Sequence, residues 1–467
     1  MCGIFGGACG NCQNGQRHIF SDLMAGGNNI GHRGEQAWGI LTEDAGEMFC
    51  YRHEGRFGEG VTERRAAMLA EKAKGRNGLA QALYSTRRKT GEKKQPKYMQ
   101  PWMANFHGKK FGLVYNGNVY DLSSLRERAR ERGWRFQSDI SDTEVIVALI
   151  ATSEKTDFIE ALKEVLPMLK GAFALILLYD GKLIGARGKF GIRPLCVGRN
   201  GDSFYLSSES CAFYAVGAKI SRDVRPGEIV VVGDGSSGKY VRWAEEARCR
   251  ICIFEFIYFA RPDSELCCGK TARHYRNEAG IILAEEAPVD VDLIVSVPGG
   301  GDIFAKSYAR KLGIPEDEGL FKNRYGLRTF MAPEGTDRRK LQRIKLHPLQ
   351  EVIRGKRICL IEDSIVRNNV ARETVLMCFE AGAKEVHMRV FSSPVIAPCY
   401  YGIDMSTREE LAAANFSLEQ IRERTGADSL AYLSLEGMIR ATGLPKESLC
   451  MACFNGDYPV APPTEKE

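Results

Sequence analysis

The chain has 467 residues, of which 44% are hydrophobic and 27% charged, and a net charge of +6. This is ordinary globular composition at a length that suggests two or three domains. No apolar run reaches the roughly eighteen residues a membrane span needs, and a small positive charge gives no argument for a nucleic-acid partner, though it suits an anionic small molecule.

The first residues are Met1-Cys2-Gly3-Ile4-Phe5-Gly6-Gly7. Removal of Met1 would leave one residue carrying both a thiol and a free α-amine, a nucleophile with its own general base. Alone, a cysteine at position 2 is equally read as incidental. The seven histidines fall into no Cys–His arrangement that would offer another base. The segment lacks the basic and apolar stretches of an export signal, so a cytoplasmic protein is expected. The fifteen cysteines are then expected to be reduced thiols, used for packing, as a nucleophile or as metal ligands.

Residues 112–118 (GLVYNGN) read as a strand entering a tight turn, and 123–133 as a helix with a serine cap and a terminal glycine. FALILLY and KLIGAR, joined by Asp180-Gly181, predict a hairpin over 173–187. Further strands are expected at 203–208 and 228–232. Beyond a break near 240–265 the pattern changes. Strand-like 291–298, 357–363 and 385–391 alternate with helical DIFAKSYARKL and RNNVARETVLMCFEAGA, the mark of a parallel sheet with ligands beyond its C-terminal strand ends. The loops 299–302 and 362–370 lie there. Residues 460–467 read as a frayed tail.

Several segments occur together and in order: CGIFGG (2–7), HRGEQAWGI (32–40), YNGN (115–118), SDTEVI (141–146), SSES (207–210), FEFIYFARPDS (254–264), KNRYGLRTF (322–330), IEDSIVR (361–367), YYGID (400–404), GADSLAYLSLEG (426–437) and CMACFNGDYP (450–459). Over roughly residues 2–460 the chain resembles the glutamine phosphoribosylpyrophosphate amidotransferase family. The resemblance implies an α+β N-terminal-nucleophile glutaminase domain, an αββα sandwich, over 2–245. It also implies an α/β type I phosphoribosyltransferase domain over 246–460 and a tail over 461–467. Its expected reaction hydrolyses glutamine at the first domain and passes ammonia to phosphoribosylpyrophosphate at the second. Purine nucleotide regulators and a homodimer or homotetramer are further expectations.

On this resemblance Cys2 is the nucleophile, and Asn116 and Gly117 supply oxyanion donors. Asp142 holds the substrate ammonium, and Arg33 belongs to the glutamine site. The bland reading of Asn116-Gly117 is a hairpin turn. Glu362 and Asp363 match the acidic pair that holds the ribose hydroxyls and, through the substrate, Mg²⁺. Ser364, Asn368 and Asn369 fall in the 5′-phosphate loop, Gly299, Gly300 and Gly301 in the pyrophosphate loop, and Lys322, Arg324 and Arg328 in the closing loop. Asp363 and Ser364 can also be read as a mere helix cap. Cys252, Cys399, Cys450 and Cys453 match the thiolates of the family's iron–sulfur members. They suit a [4Fe–4S] cluster or a structural zinc, and the cluster is the preferred reading.

Three ligand positions depart from the family pattern. Leu83 replaces the arginine that clamps the glutamine carboxylate, Gly299–Gly301 replaces Asp-Ser-Gly, and Asn368-Asn369-Val370 replaces Gly-Thr-Thr. These departures leave room for a diverged paralogue with changed substrates or a non-catalytic regulatory or scaffold role. A lost charge-assisted bond costs about 1.5–3 kcal/mol, roughly ten- to a hundred-fold in affinity. Unless Arg87 or Arg88 compensates, a glutamate-release assay should show a glutamine KM raised by that factor; family-like KM and turnover would refute the expectation.

Overall fold

The computed structural model describes residues 1–10, 19–84, 99–138, 141–233, 238–323 and 338–464, without the side chains of Cys268 and 338–341. Among these residues the first half forms two stacked antiparallel sheets. The seven-stranded sheet runs Lys219–Asp223, Cys196–Asn200, Ser203–Ser207, Gly3–Ala8, Asn77–Leu83, Ala37–Asp44, Glu47–Glu54. The six-stranded sheet runs Lys239–Arg242, Glu228–Val232, Lys182–Arg187, Lys170–Tyr179, Lys109–Tyr120, Trp102–Phe106.

Period-two alternation builds the layers. Ile4, Leu79, Val114, Ile176 and Val230 fill the space between the sheets. Phe5, Ala80 and Ala82 turn the other way, toward Ile19 and Leu23 at the helix Phe20–Asn29. Leu113, Tyr115 and Leu175 pack with Val145 and Leu149 of the helix Asp142–Ala151. This is the expected αββα sandwich.

The second half holds a five-stranded parallel sheet, Glu316–Asp317, Leu293–Ser296, Arg357–Glu362, Glu385–Val390, Ser429–Tyr432. Its central strands Leu293–Ser296 and Arg357–Glu362 are buried on both faces, which accounts for their apolar runs. Ile294, Cys359 and Ile361 pack with Phe304 and Leu283 of the helices Asp302–Leu312 and Ala272–Glu286. Leu293, Val295 and Leu360 pack with Val375 and Cys378 of the helix Asn369–Glu380.

The hairpin at Asp180-Gly181 is present, with φ of 51° and 71°, the pair of positive angles that a tight hairpin turn requires. Three local expectations fail. Asn116-Gly117 is not a turn: both residues lie inside the strand Lys109–Tyr120, opposite Ala174 and Phe173. The strand continues because Gly117 lies so close to the neighbouring strand that a Cβ would overlap the Ala172 carbonyl oxygen. The helix Ser123–Glu131 takes Leu122, not a serine, as its N-cap. The C-terminal segment is not frayed through residue 464. The Tyr401 hydroxyl donates to Val460 O (2.7 Å) and Tyr120 to Ala461 O (2.7 Å), and Thr464 N–H donates to Asp121 (2.8 Å). Among the described residues no helix is long and apolar enough to cross a membrane.

Candidate active sites

Cys2 precedes the strand Gly3–Ala8, which pairs antiparallel with Asn77–Leu83. One step beyond the pair Gly3↔Ala82 places Leu83 opposite Cys2. By alternation Cys2, Gln81, Leu83 and Asn116 face the space between the sheets, as Ile4, Leu79 and Val114 do. The Cys2 thiol donates to Tyr84 O at 3.6 Å.

Burial pushes the Cys2 thiol up, against the pull of the chain's amino group and the Tyr84 bond. Burial, with Arg33 and Arg193 nearby, lowers the Met1 amine to about 5. Both groups are therefore held neutral: the thiol keeps its proton, and the amine has a free lone pair to receive one. The same surroundings would act on the amine of Cys2 once Met1 is removed. Met1 itself is buried, its sulfur against the Arg193 guanidinium.

Asn116 is fully buried, and among the described residues neither its Oδ1 nor its Nδ2 has a hydrogen-bond partner. An orphaned buried amide costs free energy, so its persistence calls for a ligand or a water. Asp142 opens its helix behind the Ser141 cap and accepts from the Tyr115 hydroxyl (3.0 Å), Val119 N–H (3.3 Å) and Thr143 N–H (2.9 Å). It also lies within electrostatic reach of Cys2.

Arg33 lies against Cys2. Its guanidinium is fully buried, donating from Nε to Cys2 O (3.1 Å), from Nη1 to Glu209 (2.5 Å) and Glu255 (2.9 Å), and from Nη2 to Glu255 (2.9 Å). The fork is occupied by protein partners, so Arg33 positions the nucleophile's backbone. Burial would raise the Glu209 carboxyl, but Arg33 and His32 outweigh it and hold it well below the usual range. Glu209 also accepts from Ser264 Oγ (2.6 Å) and Arg261 N–H (2.9 Å). Sequence reading quoted the segments that carry Glu209 and Glu255 but gave neither a role. The available signal was a glutamate inside the apolar run FEFIYF.

In the second half Glu362 and Asp363 end the strand Arg357–Glu362 and are buried. Burial and the neighbouring Asp363 raise the Glu362 carboxyl well above its ordinary value. Burial also raises Asp363, to about 6, against a Ser364 hydroxyl bond (2.6 Å) and the charges of Arg276 and Lys322. Two like carboxyls in one buried place resist joint ionisation and would accept a cation. The loop Gly299–Gly301 folds onto this pair. A Cβ on Gly300 would overlap the Asp363 carboxylate, and one on Gly301 the Ile361 carbonyl oxygen. Gly299, at φ 109°, lies beside the Lys322 ammonium.

Asn368 caps the helix Asn369–Glu380 in the left-handed conformation, φ 62°. Asparagine tolerates this better than most residues. Its Oδ1 is buried with no partner among the described residues. Arg367 is drawn off to Glu410 (2.7 Å) and Asp404 O (3.1 Å). Arg324, Arg328, Arg87 and Arg88 lie outside the described residues. Arg276, which sequence reading missed, donates to the carbonyls of Phe256 (3.1 Å), Tyr258 (3.3 Å) and Ala260 (2.7 Å). Tyr258 interacts electrostatically with Tyr84 of the first half and with Glu362 and Asp363 of the second. Asn118 Nδ2 donates across the halves to Tyr400 O (3.0 Å).

The four cysteines gather at this junction. Cys252 and Cys450 are register partners in a short parallel pair, Cys453 O accepts from Ile396 N–H (2.9 Å) and Ala397 N–H (3.1 Å), and Cys399 interacts electrostatically with Cys252, Cys450 and Cys453. Among the described residues no three His, Cys, Asp or Glu groups stand close enough to hold a single metal ion. Cys252, Cys450 and Cys453 are buried and Cys399 is half-buried.

A family model described as a glutamine amidotransferase domain matches residues 86–215. An amidophosphoribosyltransferase of Archaeoglobus fulgidus is 39% identical, with all of this chain and 99% of the relative covered. One of Methanocaldococcus jannaschii is 37% identical at the same coverage, and one of Bacillus subtilis 36%, covering 93% of this chain and 90% of the relative. The solved structure of the B. subtilis glutamine phosphoribosylpyrophosphate amidotransferase, complexed with ADP and GMP, matches at a TM-score of 0.89 and 35% identity over 98% of both chains. Fold, paired sites and full-length likeness define a glutaminase joined to a phosphoribosyltransferase. The chain belongs to the amidophosphoribosyltransferase family.

Glu255→Gln should leave the Arg33 charge half-compensated and lower the unfolding midpoint, by an amount equivalent to about 3–5 kcal/mol. Glu209, depressed in the fold, contributes stability above the unfolded carboxyl value of about 4.3 and loses it as pH falls through its lower folded value. Thermal unfolding followed against pH should therefore show a flatter acid limb in Glu209→Gln than in the parent.

Proposed function

We infer that the protein is a glutamine-dependent amidophosphoribosyltransferase. It converts glutamine, water and phosphoribosylpyrophosphate to glutamate, phosphoribosylamine and pyrophosphate, the first step of purine synthesis. The observation that carries this reading is that one chain sets Cys2 and the orphaned Asn116 amide on one inner face of its first half and a buried acidic pair, Glu362 and Asp363, at a strand end of its second. The full-length likeness favours it over a diverged paralogue or scaffold.

After removal of Met1, Cys2 Sγ attacks the glutamine side-chain amide carbon while its proton passes to the Cys2 amine. The orphaned Asn116 amide, with the Gly117 N–H, receives the negative oxygen. The amine returns the proton to the leaving nitrogen, ammonia departs, and water hydrolyses the thioester to glutamate. Asp142 holds the substrate ammonium. Ammonia then displaces pyrophosphate at the second site. There Glu362 and Asp363 hold the ribose hydroxyls, the 364–369 backbone holds the 5′-phosphate, and Gly299–Gly301 with Lys322 holds pyrophosphate.

Mg²⁺, when bound with the substrate beside Glu362 and Asp363, would neutralise pyrophosphate charge. Cys252, Cys399, Cys450 and Cys453 would hold a [4Fe–4S] cluster that ties the C-terminal segment to the junction. Anaerobic protein should then be brown and contain iron and acid-labile sulfide; a colourless, iron-free preparation contradicts this. Purine nucleotides are the proposed regulators, after the ADP and GMP in the B. subtilis relative, and the assembly is a homodimer or homotetramer.

Cys2→Ser should abolish glutamine-dependent phosphoribosylamine formation, a loss of at least about a thousand-fold, and leave the ammonia-dependent reaction within a few-fold of the parent. Equal loss of both activities, or Met1 still attached by intact-mass measurement, would overturn the reading.

A further inference from the structure

Two thiols away from both sites touch each other. Cys249 lies in the connector between the halves, which is held where Arg248 and Arg250 donate to the carbonyls of Lys189 (3.2 Å) and Phe190 (2.8 Å). Cys267 begins the turn Cys267–Gly269 between the short strands Glu265–Leu266 and Lys270–Thr271. Both side chains are half-buried and line one solvent-open cavity of about 280 Å³, together with Arg187, Asp223 and Arg225.

The two thiols interact with each other and face the same cavity, so the pair is already brought together in the reduced state. The groups around them are unequal. Arg187 is buried, and its donors go to the carbonyls of Arg193, Val224 and Gly191 (2.7–2.9 Å), leaving a fixed positive charge near the pair. Asp223 opposes it, and its own carboxyl is pushed up, chiefly by burial. The neighbouring Cys267 thiol first, then Arg187 against the cost of burial, lowers Cys249 to about 6, while Cys249 and burial push Cys267 up. The arrangement is an attacking thiol with a second thiol in line behind it.

We propose that Cys249 and Cys267 form a reversible dithiol–disulfide site that reacts with low-molecular-weight disulfides, Cys249 attacking and Cys267 resolving. The Cys249 thiolate attacks one sulfur of the small disulfide. That S–S bond breaks, one small thiolate leaves, and a mixed disulfide forms. Cys267 gives its proton to solvent and attacks the Cys249 sulfur, and the second small thiolate leaves. Two protein thiols are oxidised and one small disulfide is reduced to two thiols. The new bond ties the connector to the second-half turn and encloses residues 249–267, with Cys252 among them.

The test uses full-length protein under anaerobic conditions with glutathione disulfide as the probe, followed by peptide mass mapping. The expected product is a Cys249–Cys267 bond that dithiothreitol reverses. Its rate should level off above a midpoint near pH 6, and at pH 6 should be about ten-fold faster than for an ordinary thiol. Cys267→Ser should trap Cys249 as the glutathione mixed disulfide, and Cys249→Ser should leave Cys267 unreacted. An inert pair, a midpoint near the ordinary thiol value, or a bond from Cys249 to Cys268 would overturn the proposal. The wild-type pH profile decides the matter even if a variant fails to fold.

Discussion

One buried guanidinium sets the relation between the halves. Arg33 holds the Cys2 carbonyl, Glu209 from the glutaminase half and Glu255 from the segment that opens the second half. Arg193 adds a second positive charge beside Glu255, at 3.5 Å, and donates to Tyr401 O (2.8 Å). Two arginines and two glutamates thus balance in a buried place, where an unmatched charge is strongly destabilising. The strand that presents the nucleophile cannot shift without breaking this balance. Nor can the segment carrying Tyr258 move away from it.

The layers were readable from the chain because alternation is a local signal. FALILLY and KLIGAR, RICLIED and EVHMRVF each name their strand, and Asp180-Gly181 names its turn. Asn116-Gly117 misled because the residues that suit a turn also suit close backbone approach, and the Ala172 carbonyl that decides between these comes from another strand. The pinned tail was hidden for a similar reason: its partners Tyr120, Asp121 and Tyr401 lie far away in sequence. Cys2, the acidic pair and the four cysteines stood out as motifs. The Arg33 fork was not, since a charged residue's partner across a domain junction leaves no spacing to read.

The departures at ligand positions make physical sense in place. Gly300 is required because the Asp363 carboxylate occupies the space a side chain would take, so this loop lies closer to the acidic pair than a serine would permit. Asn368, standing in place of a glycine, keeps the left-handed conformation that glycine takes freely, and it adds a buried amide oxygen. Leu83, opposite Cys2, gives a substrate carboxylate no charged partner at that position.

The central claim is that one continuous structure couples amide cleavage at Cys2 to displacement of pyrophosphate beside Glu362 and Asp363. Its most direct measurement is the ratio of glutamate to pyrophosphate released in a single reaction containing glutamine, phosphoribosylpyrophosphate and Mg²⁺. A ratio near one, with little glutamate formed when phosphoribosylpyrophosphate is left out, is the predicted result. Glutamate release that proceeds at the same rate without the sugar phosphate, with no pyrophosphate formed, would contradict it.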